Sequence, residues 1–140
     1  MSSTVIPTLE GTTAFVRDRF WIGDLTANAN ITAGTAVKIA AGSSSSVVAT
    51  ISGTDVLYGI TVTNANAGQK VTIIGRGAVR ATAQNAMSAG DLVGAAPSGQ
   101  VVSVTQTIVS TNELALNAYP RGVCIVGTTT SGTTVIVDLW

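Results

Sequence analysis

The strongest constraint on the fold of this chain is a series of short segments in which aliphatic residues recur at every second position. Such segments occur at residues 37–39, 60–62, 71–73, 102–104 and 135–139. Alternation with a period of two places one set of side chains on a buried face and the other set outward, as in a β-strand. Glycine-containing turns separate the segments, at 41–43, 52–53, 66–68, 97–99 and 131–132. Strands that recur about every ten residues favour a sandwich or a barrel.

The composition favours strands over helices. Thr, Val and Ile number 21, 18 and 11, so that 50 of 140 residues are β-branched. These side chains are stiff at χ1 and suit a pleated surface. Helix formers gather only at 111–118 and in the alanine-rich stretch 81–89, both too short for a stable helix, and we expect mainly loop there. The length fits one all-β domain.

The charged and reactive residues exclude several classes of function. Seven basic residues balance seven acidic ones, which argues against a nucleic-acid partner. The chain has no His, the commonest general base and zinc ligand, and its single Cys excludes an internal disulfide. We therefore expect a protein that is not an enzyme, with no catalytic residues, no metal and no cofactor. Low charge also leaves little self-repulsion between copies, which is typical of an assembly component.

The N-terminus and the hydropathy bear on location. No stretch approaches the roughly 18 apolar residues of a membrane-spanning helix. The first residues lack a basic region followed by an apolar core, so that no secretory signal is indicated. We expect synthesis in a cytoplasm and no membrane partner.

The chain divides into two parts at about residue 30. Residues 1–30 lack regular alternation and hold three of the six aromatic residues, so we expect an extended N-terminal arm with one short strand near 13–16. Residues 31–140 form the β-barrel domain.

An internal repeat organises the barrel domain, with copies at about 31–75 and 87–140. Both copies read A-G-x-x-V, then G-[IV]-x-[IV], then G-x-x-V-x-[IV], beginning at Ala33 and at Ala89. The interval from Gly34 to Gly59 is 25 residues, and that from Gly90 to Gly122 is 32, with the extra residues near 108–118. Two copies of a small β unit, neither able to bury its own face, are expected to close on each other into one barrel or sandwich.

This order of motifs, with Gly77-Ala78-Val79-Arg80-Ala81 between the copies, resembles the tailed-phage capsid decoration proteins, also called capsid cement proteins. The resemblance covers residues 31–139. It implies a small β-barrel or β-tulip-like domain that forms a homotrimer and sits on the outside of the phage head. It also implies binding to the major capsid protein at three-fold and quasi-three-fold positions, which stabilises the capsid lattice. The implied location is the exterior of the virion.

The N-terminal arm supplies the first candidate contact residues, Phe15, Arg17, Arg19, Phe20 and Trp21. Aromatic residues and Arg are concentrated in the energetically important centres of interfaces. These residues are therefore candidates for contact with the capsid or with a neighbouring subunit. The alternative is that the three aromatic side chains plug one end of their own barrel.

Three further residues are contact candidates. Arg76 and Arg80 would share one face of a strand, where they would meet carboxylates of the capsid or of a sister subunit, or else remain solvated. Trp140 is either a cap on the core or an anchor between subunits. Cys124 lies among aliphatic residues and is expected to be a small buried side chain.

Other functions remain as alternatives. The main one is a carbohydrate-binding or adhesin-like β-domain on a virion or cell surface, although the chain is poor in the aromatic residues that sugar sites present. A lipoyl- or biotin-carrier module would need a modified Lys at a hairpin tip, for which Lys70 is the only candidate.

Overall fold

The computed structural model describes residues 20–42, 45–111 and 113–140, and the predicted contact residues Phe15, Arg17 and Arg19 and the predicted strand at 13–16 lie outside these ranges. The fold is all-β, as predicted. Its described part contains eleven strands: β1 (Phe20–Ala27), β2 (Ala36–Ile39), β3 (Ser46–Ala49), β4 (Gly59–Thr61), β5 (Lys70–Thr82), β6 (Leu92–Ala95), β7 (Val101–Ser103), β8 (Gln106–Ser110), β9 (Glu113–Leu116), β10 (Gly122–Val126) and β11 (Thr134–Leu139).

The first unit is a closed barrel of five strands in the order β1-β3-β2-β4-β5, with β5 pairing back onto β1. The pairing of β1 with β3 is parallel, and the other pairings are antiparallel. Alternating residues fill its interior, which removes them from water and supplies the main favourable term in folding. The fully buried side chains at its centre are Val37, Val47, Val71 and Ile73.

The second unit repeats this arrangement with the strand order β5-β11-β10-β6-β7, so that each copy forms its own barrel instead of closing with the other copy into one. A parallel bridge between Ala83, just after β5, and Val101 of β7 joins its two ends. Its interior contains Val93, Val101, Val135, Val137 and Leu139, all fully buried.

Strand β5 belongs to both units. Its first part pairs with β1 and β4 of the first barrel, and its second part pairs with β11 of the second. Gly77 lies where β5 passes from one barrel to the other, and its φ of 105° is a conformation that other residues rarely adopt. The two barrels are therefore joined by a continuous, hydrogen-bonded strand.

Side-chain packing also joins the barrels. Ala36, Ile60 and Ile74 of the first barrel belong to the apolar cluster of the second, while their chain neighbours Val37 and Ile73 face the first core. A 3₁₀ turn at Pro97–Gly99 adds to this contact, because the amide of Gly99 donates to Thr50 at 2.9 Å, and the buried Thr50 hydroxyl donates to Ala96 at 2.8 Å.

Equivalent main-chain hydrogen bonds occur in the two units. Gly34 donates to Thr61 at 2.8 Å in the first unit, and Gly90 donates to Cys124 at 2.8 Å in the second. Three such correspondences follow the sequence repeat: Gly34–Thr61 with Gly90–Cys124, Ile31–Ala65 with Met87–Thr128, and Tyr58–Val37 with Arg121–Val93. The sequence motifs therefore mark structurally equivalent positions.

The repeated glycines Gly59 and Gly122 open equivalent strands at crowded points. A Cβ on Gly59 would lie 2.7 Å from the oxygen of Ile74, and one on Gly122 would lie 2.4 Å from the oxygen of Asp138. Both glycines thus allow a close approach of two backbones, which is one of the roles of glycine in strands.

Two segments differ from what the alternation indicated. Residues 20–27, which the sequence assigned to an arm, form β1 and close the first barrel. The stretch at 106–116, predicted as mainly loop around 111–118, is a two-stranded hairpin of β8 and β9. Antiparallel pairing satisfies the backbone of this short segment, whereas an isolated helix of its length would be marginal. The hairpin contains the extra residues of the second copy.

Candidate interaction surface

Three large exposed side chains, those of Phe20, Arg76 and Trp140, belong to adjacent segments near the point where β5 passes from one barrel to the other. Phe20 of β1 pairs with Arg76 of β5, and on the other side of β5 Gly77 pairs with Leu139, which Trp140 follows. Adjacent strands lie about 4.8 Å apart, so that the backbones of Phe20 and Trp140 are separated by only one intervening strand, or about 10 Å. Phe20 is the first residue of β1, Arg76 lies in β5 beside the boundary between the two units, and Trp140 follows the last strand of the second unit.

Arg121, just before β10, holds this junction together. Its Nε donates to the main-chain oxygen of Leu57 at 3.0 Å. Its Nη2 donates to the main-chain oxygens of Tyr58 at 3.2 Å and Gly75 at 2.7 Å, and its Nη1 donates to that of Trp140. The planar guanidinium, with five donors in a fixed fork, can reach four carbonyls at once in a way that Lys cannot.

The Arg121 guanidinium is partly buried, and burial lowers its pKa from the ordinary value of arginine. Arginine nevertheless remains protonated at any pH at which a protein is folded. Its charge therefore strengthens the bonds to carbonyls contributed by both barrels. Arg121 acts as a structural clamp beneath the exposed residues.

Further apolar side chains extend the surface around the clamp. Val56 is 73% exposed and Tyr119 is 56% exposed, and they lie in two loops that are joined by a 3.2 Å hydrogen bond from Tyr119 to Gly53. Trp21, which pairs with Ile74, is 53% exposed. We call this set, consisting of Phe20, Trp21, Val56, Arg76, Tyr119 and Trp140, the junction surface.

The junction surface unites four of the predicted contact residues, namely Phe20, Trp21, Arg76 and Trp140. The ring of Phe20 lies beside Gly75, and its side chain is 61% exposed. Arg80 is also exposed and lies four residues farther along the same strand, as the predicted shared face requires. Whether any of these residues contacts a capsid stays a prediction.

The sequence analysis did not identify Arg121, Val56 or Tyr119. A signal for Arg121 was present, because it immediately precedes the repeated glycine Gly122, where the first copy has Tyr58. Its role nevertheless depends on carbonyls that lie far away in the chain, and these cannot be read from local spacing.

Two carboxylates elsewhere have structural partners. Burial acts to raise the pKa of Asp55, but hydrogen bonds from the amide of Ile51, the ammonium of Lys38 and the amide of Ser52 outweigh burial and lower it. The Lys38–Asp55 ion pair measures 2.9 Å. For Asp91, hydrogen bonds from the amide of Ser88 and the hydroxyl of Ser103 lower the pKa. These contacts fix turns at the ends of strands.

The described residues offer little for catalysis. Cys124 is buried in the second core, as expected, and burial together with the charge of Asp91 raises the pKa of its thiol, which disfavours the reactive thiolate. Among residues 20–42, 45–111 and 113–140, no three side chains of the types that ligate metals come together. Within the same ranges, no helix is long and apolar enough to cross a membrane.

The chain thus consists of two fused barrels that share strand β5, with exposed aromatic side chains near their junction. A family model for phage cement proteins matches residues 16–139. The chain therefore belongs to the phage cement protein family, as its sequence resemblance indicated, and is a structural, capsid-associated virion protein.

A solved structure supports the fold. The chain is similar to the head fiber gp8.5 N base in bacteriophage phi29, with a TM-score of 0.62 and 13% sequence identity, over 88% of this chain and 95% of that one. At this identity the likeness concerns the fold alone. No curated protein matches the sequence.

Proposed function

We propose that this protein binds the outer surface of a phage head as a homotrimer and stabilises the lattice of the major capsid protein. Membership of the phage cement family supports the association with a capsid. The partner, the trimer and the stabilisation are parts of the proposal.

The junction surface is the observation that carries the proposal. The surface combines Arg76 with five apolar side chains, and more than half of the surface of each apolar side chain is accessible. A cluster of exposed apolar residues on a soluble domain marks an interaction site, and Trp, Tyr and Arg supply most of the binding energy at such sites. The clamp at Arg121 holds the surface in one geometry before binding, which lowers the entropic cost of association.

A trimer would bind the capsid more tightly than a single junction surface could. Three copies of one weak contact act together, because the second and third contacts form at high effective concentration. With seven basic and seven acidic residues and an apolar contact surface, we expect the binding to depend little on ionic strength. Holding neighbouring capsid subunits together in this way opposes the outward pressure of packaged DNA.

Sedimentation with heads tests the proposal. The protein is mixed with expanded heads of the phage that encodes it, and these heads are prepared without the protein. Separately, light scattering measures the mass of the free protein in solution. We expect a particle of three times 14.0 kDa that sediments with the heads and raises the temperature at which they break. A monomer that stays in the supernatant while the heads sediment would contradict the proposal.

Matched variants locate the contact. The double variant Phe20→Ser, Trp140→Ser removes two exposed aromatic side chains from the junction surface and should weaken head binding at least tenfold, since each such residue is worth about 1–2 kcal/mol at an interface. Val126→Ser is the control, because Val126 is also exposed, at 41%, but lies at the end of β10 outside the junction surface. Equal binding by both variants would place the contact elsewhere.

A further inference from the structure

A groove lies on the side of β5 where the two barrels meet. It has a volume of about 360 Å³ and is lined on one side by Gly34, Thr61 and Val62 of the first unit. On the other side it is lined by Arg80 of β5 and by Thr134 of β11. The groove is thus bounded by parts of both units and lies four residues along β5 from the junction surface.

Arg76 and Arg80 differ from the other basic side chains in the described part of the chain, because those others contact groups of their own chain. Lys38 pairs with Asp55, Lys70 lies 3.6 Å from Asp24, and Arg121 binds carbonyls. Within residues 20–42, 45–111 and 113–140, the guanidinium groups of Arg76 and Arg80 have neither a hydrogen bond nor an ion pair. Both are exposed on β5. A neutral protein therefore presents two unpaired positive charges along one strand.

The carboxylates in the described part of the chain contact groups other than Arg76 and Arg80. Each one in the described ranges already has a contact within its own chain: Asp24 with Lys70, Asp55 with Lys38, Asp91 with Ser88 and Ser103, Glu113 with Ser110, and Asp138 with a further group. Within the described ranges, a second copy therefore offers few carboxylates without a contact of their own. The charge complementarity favours a different protein.

We propose that the groove receives a carboxylate-bearing segment of the capsid protein, with Arg80 pairing with a carboxylate and Arg76 adding to the attraction. This inference rests on the proposed function and specifies the chemistry of its partner. The guanidinium fork matches a carboxylate bidentately, and the groove floor partly shields the pair from water. The aromatic contacts of the junction surface would supply affinity, and the arginines would supply register and specificity.

Charge reversal on the heads of the same phage tests the inference. Arg80→Glu should weaken head binding at least tenfold, because a charge-assisted hydrogen bond is lost and a repulsion replaces it. Arg80→Lys should lose less, since it retains the charge but not the fork. Lys70→Glu is the matched control: it makes the same change on an exposed residue of β5, away from the groove. Arg80 has no side-chain partner and the contacts of Lys70 with Asp24 are exposed, so all of these variants should keep the circular dichroism spectrum of the parent.

Two additional experiments distinguish between the possible occupants of the groove. Thr134→Tyr fills the groove at an exposed position without changing charge and should also weaken binding. Converting the head carboxylates to amides with a carbodiimide and glycinamide should reduce binding of the parent to the level of Arg80→Glu. The inference fails if the parent binds heads and Arg80→Glu binds equally well, or if Lys70→Glu loses as much. It fails as well if Arg80→Glu changes the mass in solution, which would identify a second copy as the partner. Failure of the parent to bind heads refutes the proposed function itself.

Discussion

The guanidinium of Arg121 donates a 2.7 Å hydrogen bond to the main-chain oxygen of Gly75, and in this way a residue of the second barrel holds the middle of the strand that both barrels share. The same group also bonds to Leu57 and Tyr58, which precede β4 of the first barrel. One side chain therefore fixes the relative positions of several segments at the junction surface.

Arg121→Ala should destabilise the protein by about 3 kcal/mol, because hydrogen bonds to a charged group contribute roughly 1.5–3 kcal/mol each and are not additive. Partial exposure lets water replace some of them, so that the loss stays near the value of one or two bonds. The midpoint of urea unfolding at fixed protein concentration measures the loss. Arg121→Lys keeps the charge without the fork and should recover less than half of it. Full recovery by Lys would show that charge alone matters at this position.

A methyl group at a close backbone approach should be costly. Gly122→Ala places a Cβ 2.4 Å from the oxygen of Asp138, which forces β10 away from β11 and should cost at least 2 kcal/mol. Gly23→Ala is the control, since its Cβ would meet only the hydroxyl of Thr72 at 4.0 Å and its φ is not positive. We expect Gly23→Ala to leave the thermal midpoint within about 2 °C of the parent, on the scale expected of a neutral surface change. Similar midpoints for both variants would mean that the strands shift freely.

Acid should weaken the fold through Asp55 and Asp91. The pKa of each is lowered below 3.8 in the folded protein, so that each stabilises the fold above that pH, and the contribution is lost as the pH falls through the folded pKa. Urea midpoints measured between pH 6 and pH 2.5 should fall below about pH 4. The double variant Asp55→Asn, Asp91→Asn should be less stable than the parent at pH 6 and should lose less on acidification.

Asp24→Asn controls for the removal of a surface carboxylate, because Asp24 is fully exposed and its ion-pair distance is 3.6 Å. An unchanged acid response in the double variant would mean that other carboxylates govern the loss of stability at low pH.

The sequence predicted the strands that alternate regularly, because a strand with one buried face must repeat every two residues. It also predicted the equivalent glycines, since a close backbone approach tolerates no side chain. Strand β1 was not predicted, because its residues do not alternate regularly. Its pairing with β5 shifts register between Phe20 and Trp21 and again between Ile22 and Leu25, and these irregularities remove the alternation from its sequence. Barrel closure depends on pairings between distant segments, which local patterns do not encode.

The junction surface was foreseen only in part for the same reason. The aromatic residues at positions 20, 21 and 140 stood out by their scarcity in a chain that is only 4% aromatic. Their proximity, however, follows from β5 pairing with β1 on one side and with β11 on the other. Val56 and Tyr119 lie in loops of unremarkable sequence, and these loops are joined by the hydrogen bond from Tyr119 to Gly53 and by that from Arg121 to Leu57.

The β8–β9 hairpin should be dispensable for folding. Asn117 closes its base by accepting a 2.7 Å hydrogen bond from the amide of Thr105 and by donating to Ser103 at 2.9 Å. In the described residues the hairpin forms its own two-stranded sheet, separate from both barrels. The first unit closes without such an insertion. Replacing residues 106–116 by Asn-Gly should therefore keep the urea midpoint within the equivalent of about 1 kcal/mol, since shortening a surface loop changes its closure entropy only slightly.

The same replacement distinguishes a role of the β8–β9 hairpin in folding from a role in assembly. An isolated hairpin is marginally stable in water and gains stability when it packs on a partner. Light scattering and head sedimentation are measured on the shortened protein beside a variant that carries only Leu116→Ser, at a hairpin position that is 45% exposed. We expect both proteins to remain folded. Loss of the cooperative unfolding transition on shortening would contradict the prediction, and it would show that the second barrel, unlike the first, needs its insertion in order to close.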